Sequence, residues 1–371
     1  MEAEPKALAR LREAIAEVDR ALLELLRRRM ELASRVGEIK AAAGSPVVAR
    51  DVEDRILTRA RQHAELCEVS PEVMEAIFQA ILQGSVERQH RIGVERRRAR
   101  GERVLIVGGA GAMGAWLRHF LELVGHTVAV VDPALGRLPP AAGGFSAMAE
   151  IGNLDVYAAI FVAVPLDRTP AVLRELVARR PPGVVIEIAS IKSHLDEVFE
   201  EAAAAGVRIA ALHPMFGPGK SPYEPLTFVH ACRESPEAER ARLEPLLRHP
   251  YTQLVTVPFA HHDRLMGWLL GLAHLSGMLF GAALTRSGLD PRELAECAST
   301  TFTRQSATAL SVLAEDPDLY LDIQHLNPHR QEVYAALEAA LAELVELVGN
   351  RDRERFRDTL AAARRALPRA D

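Results

Sequence analysis

From Pro5 to about Ala43 the apolar residues Leu8, Leu11, Ile15, Val18, Leu22, Leu25, Leu32, Val36 and Ile39 fall three or four positions apart. That is the spacing of one helical face. A helix of this length extends roughly 55 Å at 1.5 Å per residue, more than one small bundle covers. The seam therefore predicts a partner helix from a second chain. Arg29 occupies a seam position where an aliphatic residue is due, and Lys40 returns to nearly the same face. Further on, the stripe Met74, Phe78, Ile81 continues into Ser85 and Gln89, and Glu53 shares a face with Leu57 and Ala60. An unpaired cation removed from water costs several kcal/mol. Either these polar residues line a cavity that receives an anion, or they reach solvent and set helix register.

The pattern changes twice more. A charged stretch at 95–101, ERRRARG, ends the helical text of 1–94. Over 102–258 short β-rich runs alternate with helical runs, which predicts a doubly wound α/β domain. From 259 to 371 the period is helical again, and aliphatic runs such as VYAALEAALAELVELV predict core and subunit interface. No internal repeat stands out.

Composition narrows the classes. The 371 residues are 49% hydrophobic and 26% charged, which fits a soluble globular chain. A net charge of −5 argues against a nucleic-acid partner. Cys67, Cys232 and Cys297 lie far apart, so no metal or redox spacing is expected. No basic leader and no apolar run long enough for a bilayer stand out, so the expectation is a cytoplasmic enzyme with no membrane partner.

Chemistry enters at Gly109-Ala110-Gly111-Ala112-Met113-Gly114, which fits G-x-G-x-x-G between a strand and a helix. In such a turn the first glycine is expected to make the bend and the second to admit a pyrophosphate. The third packs helix on strand, and the phosphates meet the helix N-terminus. Asp132 ends the next strand, where a carboxylate binds the adenosine ribose and disfavours a 2′-phosphate, so NAD is expected. Arg137 nearby is the feature that would favour NADP. Val164 and Pro165 end a further strand, expected beneath the nicotinamide. Two more strands deliver Ser190 with Lys192, and His213, to the carboxyl edge where open α/β sheets bind ligands. Beside that serine and lysine, His213 reads as a base rather than a structural residue. His262, in HHD, reads equally as structural or functional.

Residues 5–92, with LREAIAEVDRALLELLRRRMELASRVGEIK and SVERQ, resemble the helical chorismate mutase family. The resemblance implies that Arg12 (from a partner chain), Arg29, Lys40, Glu53, Ser85 and Gln89 bind chorismate. Arg12 and Arg29 would take the carboxylates, Lys40 and Gln89 the ether oxygen, and Glu53 the ring hydroxyl. The pericyclic step to prephenate then needs only orientation and charge stabilisation. The sequence departs from the family at Val52, where an arginine is frequent, and at Ala49, where an aspartate is common. Arg50 or Arg55 are the candidates to compensate.

GGAGAMG, VAVP, ASIK, HPMFGP, HHD and TFTR, in this order, resemble the prephenate dehydrogenase family. Together the segments resemble the bifunctional chorismate mutase–prephenate dehydrogenases of tyrosine biosynthesis. The implied fold is a three-helix mutase domain (1–94), a linker (95–101), a Rossmann domain (102–258) and a helical dimerisation and substrate domain (259–371). The resemblance further implies His213 as base, Ser190 and Lys192 as its supports, Arg304 as carboxylate ligand and His274 as a secondary candidate. The implied assembly is a homodimer. The alternatives are an arogenate dehydrogenase, and a dehydrogenase whose mutase-like segment is weakened or regulatory.

Overall fold

The computed structural model describes residues 3–43, 50–97, 101–137 and 144–367. The chain packs as two compact units. The first takes in Met1–Val164, Glu175–Ile188 and Ala202–Thr256; the second takes in Pro165–Arg174, Ala189–Glu201 and Val257–Asp371.

The first unit begins with three helices, α1 (Ala3–Ala43), α2 (Arg50–Leu66) and α3 (Pro71–Arg97). Ser70 caps α3 by accepting from the Val73 N–H at 3.4 Å, and Pro71 follows where a missing N–H costs nothing. Helices α1 and α2 pack on α3. The predicted seam of α1 stays largely exposed, from 43% at Val36 to 70% at Ile39. Among the described residues α1 packs chiefly on α3, which leaves this apolar face uncovered.

An eight-stranded sheet follows, in the order β3-β2-β1-β4-β5-β6-β7-β8. Its strands are β1 (Arg103–Val107), β2 (Thr127–Val131), β3 (Gly144–Phe145), β4 (Ala159–Val162), β5 (Val184–Glu187), β6 (Ile209–Pro214), β7 (Leu226–Cys232) and β8 (Thr252–Pro258). Pairing is parallel from β3 across to β6, and β7 runs antiparallel to β6 with His213 opposite Val229. The central strands are buried on both faces, hence their continuous Val/Ile/Leu/Phe runs. Intervening helices are α4 (Ala112–Val124), α5 (Thr169–Arg179), α6 (Asp196–Ala205) and α7 (Pro236–Leu243). Helix α4 stops at Gly125, whose φ of 108° and N–H bonds to Leu121 and Glu122 carbonyls make a left-handed cap. One core cluster joins Ile106, Phe120, Phe161, Ile186, Leu212 and Phe228.

The second unit is mainly helical: α8 (Phe259–Met266), a π turn at Gly267–Gly271, α9 (Leu272–Ser287), α10 (Pro291–Glu296), α11 (Thr300–Leu313), α12 (Pro317–Leu326), α13 (Arg330–Gly349) and α14 (Arg353–Ala366). Asp290, Ser299, Asp316 and Asp352 cap four of these helices through their side chains. One expectation needs correction here. The stretch Phe259–Ser287 is helical over 29 residues and contains an 18-residue segment of mean hydropathy 1.5, enough by length and composition to cross a membrane. The sequence alone predicts no apolar run long enough for a bilayer. The π turn at Gly267–Gly271 instead joins α8 and α9 into one helical path.

Candidate active sites

The helical anomalies meet in a cavity of about 280 Å³ within the first unit. Its wall includes Arg29 and Lys40 from α1, Val52 and Glu53 from α2, and Ser85 and Gln89 from α3. Five residues singled out from sequence therefore share one cavity. The Arg29 guanidinium donates to the Ser85 hydroxyl and, at 3.3 Å, to the Ile81 carbonyl. Both acceptors are neutral, and burial lowers the Arg29 pKa. The result is a partly desolvated positive charge in the cavity wall, which attracts anions more strongly than one in bulk water does. Gln89 Oε1 is buried with no hydrogen-bond partner among the described residues. Gly37 makes that placement possible: a Cβ there would lie 2.9 Å from the Gln89 Cα, so α1 and α3 touch backbone to backbone.

Arg12 is exposed on α1 and absent from this wall. Seventeen residues separate it from Arg29, roughly 25 Å along the helix axis. Val52 does enter the wall, so the departure from the family pattern falls inside the cavity. Arg55 is exposed and is not part of the lining. Ala49 and the Arg50 side chain lie outside the described residues.

At the sheet's carboxyl edge the glycine turn is built by steric necessity. The left-handed residue is Gly108, with φ 86°, and not Gly109 as the motif suggests. A Cβ at Gly108 would lie 2.3 Å from the Ala163 carbonyl oxygen. Gly109 is required for packing, since its Cβ would fall 2.2 Å from Val130 Cγ1. Gly114 is required for helix-on-strand contact, at 2.1 Å from the Gly108 oxygen. Gly111 is different: its Cβ would meet only the Gly108 oxygen, at 3.4 Å, so one side is open. It begins α4 with no side-chain cap, which leaves the helix N-terminus available to a phosphate.

Asp132 follows β2 and is half-buried. Its Oδ2 accepts from the Ala110 N–H at 3.0 Å and its Oδ1 from the Ala134 N–H at 2.9 Å. These bonds orient the carboxylate and leave each oxygen a second lone pair for a ribose hydroxyl. Met113 packs on the core and Ala110 is exposed. Val164 follows β4 and is half-buried; Pro165 begins the second unit and is exposed. The Arg137 side chain lies outside the described residues. The donor set and the turn fit a dinucleotide.

His213 is on β6 at 3% exposure, one residue before the strand's end and on the edge where β1, β4 and β5 also end. The three intervening spacings put β6 about 14 Å from β1. Ser190 and Lys192 follow β5 and belong to the second unit. Lys192 is fully buried, and its turn is held from the backbone. The Lys192 N–H donates to both Asp263 carboxylate oxygens at 2.9 and 3.1 Å, and the Ser193 N–H to Oδ2 at 2.7 Å.

Asp263, the last residue of HHD, to which the sequence assigns no role, is the anchor of this turn. Burial would raise its pKa, but bonds from His262 and Ser193 outweigh that and hold it at about 2. His262 lies 2.7 Å from Asp263 through Nδ1, and burial lowers its pKa despite that partner. His262 is thus a buried prop of Asp263. The second sequence candidate, His274, packs against Tyr320 with ring centroids 4.2 Å apart and the planes tilted by 57°, its Nδ1 buried and unpartnered among the described residues. Burial lowers its pKa as well. Arg304 is exposed on α11.

His230, Cys232 and Glu239 bring ligand-type atoms within 4.8 Å of one another, a grouping that sequence spacing hides. Glu239 spends its oxygens on His230 Nε2 at 2.8 Å, on the Cys232 thiol, and on the N–H groups of Arg233, Glu234 and Ser235. Burial, then the Glu239 hydrogen bond, pushes the thiol up to about 11. A protonated thiol and a saturated carboxylate describe a cap that ties α7 to β7.

The chorismate mutase type II family matches residues 11–90. The nucleotide-binding domain of prephenate dehydrogenase matches 142–225, and the dimerization domain of that family matches 258–362. The T-protein of Enterobacter agglomerans is 26% identical over 349 residues, covering 94% of this chain and 90% of the relative. A probable arogenate/prephenate dehydrogenase of Methanocaldococcus jannaschii is 28% identical over 269 residues; the match takes in 68% of this chain and 58% of that relative's length. A crystal structure of prephenate dehydrogenase from A. aeolicus, with hydroxyphenyl propionate and NAD+, superposes with a TM-score of 0.57 at 17% identity, over 71% of this chain and 96% of that one.

Proposed function

We propose that this chain, which belongs to the chorismate mutase type II and prephenate dehydrogenase families joined in one polypeptide, converts chorismate to prephenate and then oxidatively decarboxylates prephenate to 4-hydroxyphenylpyruvate with NAD. The observation that carries the reading is the meeting of Arg29, Lys40, Glu53, Ser85 and Gln89 in one cavity, in the same chain as a dinucleotide turn and a strand-end histidine.

For the rearrangement, Arg29 would hold a substrate carboxylate by charge-assisted hydrogen bonds, with Ser85 fixing the guanidinium. Lys40 and Gln89 would face the ether oxygen, where negative charge develops, and Glu53 the ring hydroxyl. Arg12 is too far along α1 to serve its own cavity and would act in a partner's. The exposed seam of α1 and the dimerization-domain match support a homodimer. Wild-type protein is expected to sediment as a dimer; a monomer at micromolar concentration would overturn this.

For the oxidation, NAD supplies the hydride acceptor when bound. The open side at Gly111 and the uncapped start of α4 would receive its pyrophosphate, and Asp132 the adenosine ribose. His213 would accept the ring hydroxyl proton, Ser190 and Lys192 would support the site, and Arg304 would bind a carboxylate through its planar fork. Loss of CO₂ with aromatisation makes the reaction effectively irreversible.

Purified protein with chorismate is expected to yield prephenate without NAD, and NADH plus 4-hydroxyphenylpyruvate with it. Absence of either product removes the corresponding activity. Replacement of Arg304 by alanine (Arg304→Ala) is expected chiefly to raise KM for prephenate, since it removes binding shared by ground and transition states. An unchanged KM refutes that role. Val52 in the cavity wall supports a second reading, in which the mutase is weakened, and the first arm of the assay measures it directly. Substituting arogenate for prephenate tests the remaining alternative.

A further inference from the structure

We propose that Trp116 is a positioning residue for the dehydrogenase, a clamp that fixes the loop after His213 to the helix that receives the dinucleotide. The inference rests on the oxidoreductase reading above. Trp116 lies two residues beyond Gly114, in the early turns of α4, and is 7% exposed. Its indole N–H donates to the Lys220 carbonyl at 2.6 Å. A buried indole N–H must find a partner, and many backbone acceptors would serve. The one it takes closes the Gly217–Lys220 turn, which begins four residues after His213.

The same ring packs on that loop. Its centroid lies 4.7 Å from Phe216, which is three residues beyond His213, and 5.2 Å from Phe120 in a stacked arrangement. Phe216 in turn meets Phe228 edge-on at 5.2 Å. The loop is therefore gripped from two sides. On one side the β6–β7 ladder holds His213 opposite Val229, and the Met215 N–H bonds to the Thr227 carbonyl at 2.9 Å. On the other side Trp116 holds Phe216 and Lys220. Within the turn, the Lys220 N–H bonds to the Gly217 carbonyl at 3.0 Å, and the Lys220 ammonium pairs with Glu224.

The geometry explains why such a clamp matters. His213 stands three strands from β1, about 14 Å away, so the sheet alone links it only loosely to the glycine turn. Trp116 bridges that gap directly, because one helix carries both the phosphate-binding turn and the indole. An apolar residue of equal size would fill the core but could not hold the Lys220 carbonyl. Displacements of about 1 Å between reacting groups cost up to roughly 10²-fold in rate, so a loosened loop should appear in turnover.

The test compares Trp116→Phe, which keeps a ring and loses the N–H, with Trp116→Leu, which loses both. Prephenate oxidation by the full-length Phe variant is expected to fall in kcat by about tenfold. KM for NAD should change less than about twofold, with a shifted acid limb in the pH profile of kcat/KM. The Leu variant should fall further. NAD affinity by calorimetry and mutase turnover serve as folding controls, and both should stay near wild type in the Phe variant. A Phe variant with wild-type kcat and pH profile overturns the proposal. So does a loss shared equally by NAD affinity and thermal stability. Wild-type protein that binds NAD but does not oxidise prephenate overturns the oxidoreductase reading instead.

Discussion

Replacement of His213 by asparagine is expected to lower prephenate oxidation by roughly 10²–10⁴-fold, the usual worth of general-base catalysis. Asparagine keeps a polar side chain of similar bulk at a position only 3% exposed, so packing at the end of β6 should survive. Its amide cannot take up a proton near neutral pH. The loss should therefore appear in kcat, measured as NADH formation, with NAD affinity by calorimetry and mutase turnover unchanged. Near-normal oxidation by a folded His213→Asn protein would remove His213 from the mechanism.

Arg29→Ala is expected to have the largest effect at the other site, cutting conversion of chorismate by at least roughly 10²-fold while leaving prephenate oxidation intact. One preorganised donor aimed at developing or bound negative charge is worth about that much. The argument rests on what surrounds the guanidinium: the Ser85 hydroxyl and the Ile81 carbonyl, both neutral, in a cavity where burial already disfavours its charge. A charge held at that cost is poorly explained by stability alone, since an aliphatic residue would complete the seam better. The competing account makes Arg29 a register device for the helices. It expects Arg29→Ala to lower the thermal midpoint and the helical content together, and the mutase assay with circular dichroism separates the two.

Much of the fold was legible because it follows from local rules. The helical period of the first ninety residues and the α/β alternation after the linker are both periodic signals. The left-handed residue was mislocated by one position for a simple reason. The motif marks Gly109 as first glycine, but Gly108 precedes it, and only the close approach of the Ala163 carbonyl makes Gly108 the bend. The apolar helix Phe259–Ser287 was likewise not recognised as long enough for a bilayer, because sequence does not show that a π turn carries the helical path through Gly267–Gly271.

The sequence by itself determined which residues break the pattern: a cation in an aliphatic seam, glycines ahead of a helix, a histidine ending a strand. Each is visible because local period and backbone sterics set an expectation that it violates. Only the tertiary structure decided what these residues meet. Arg29 finds Ser85 across 56 positions, the turn at Lys192 and Ser193 finds Asp263 across 71 and 70, and Trp116 finds Lys220 across 104. Such pairings depend on how finished helices and strands pack, and packing is set by the summed burial of many side chains at once. Sequence alone assigns no role to Asp263 or Trp116, one the carboxylate that ends HHD and the other an aromatic residue on an amphipathic helix. Their partners, brought close by the fold, give them their roles.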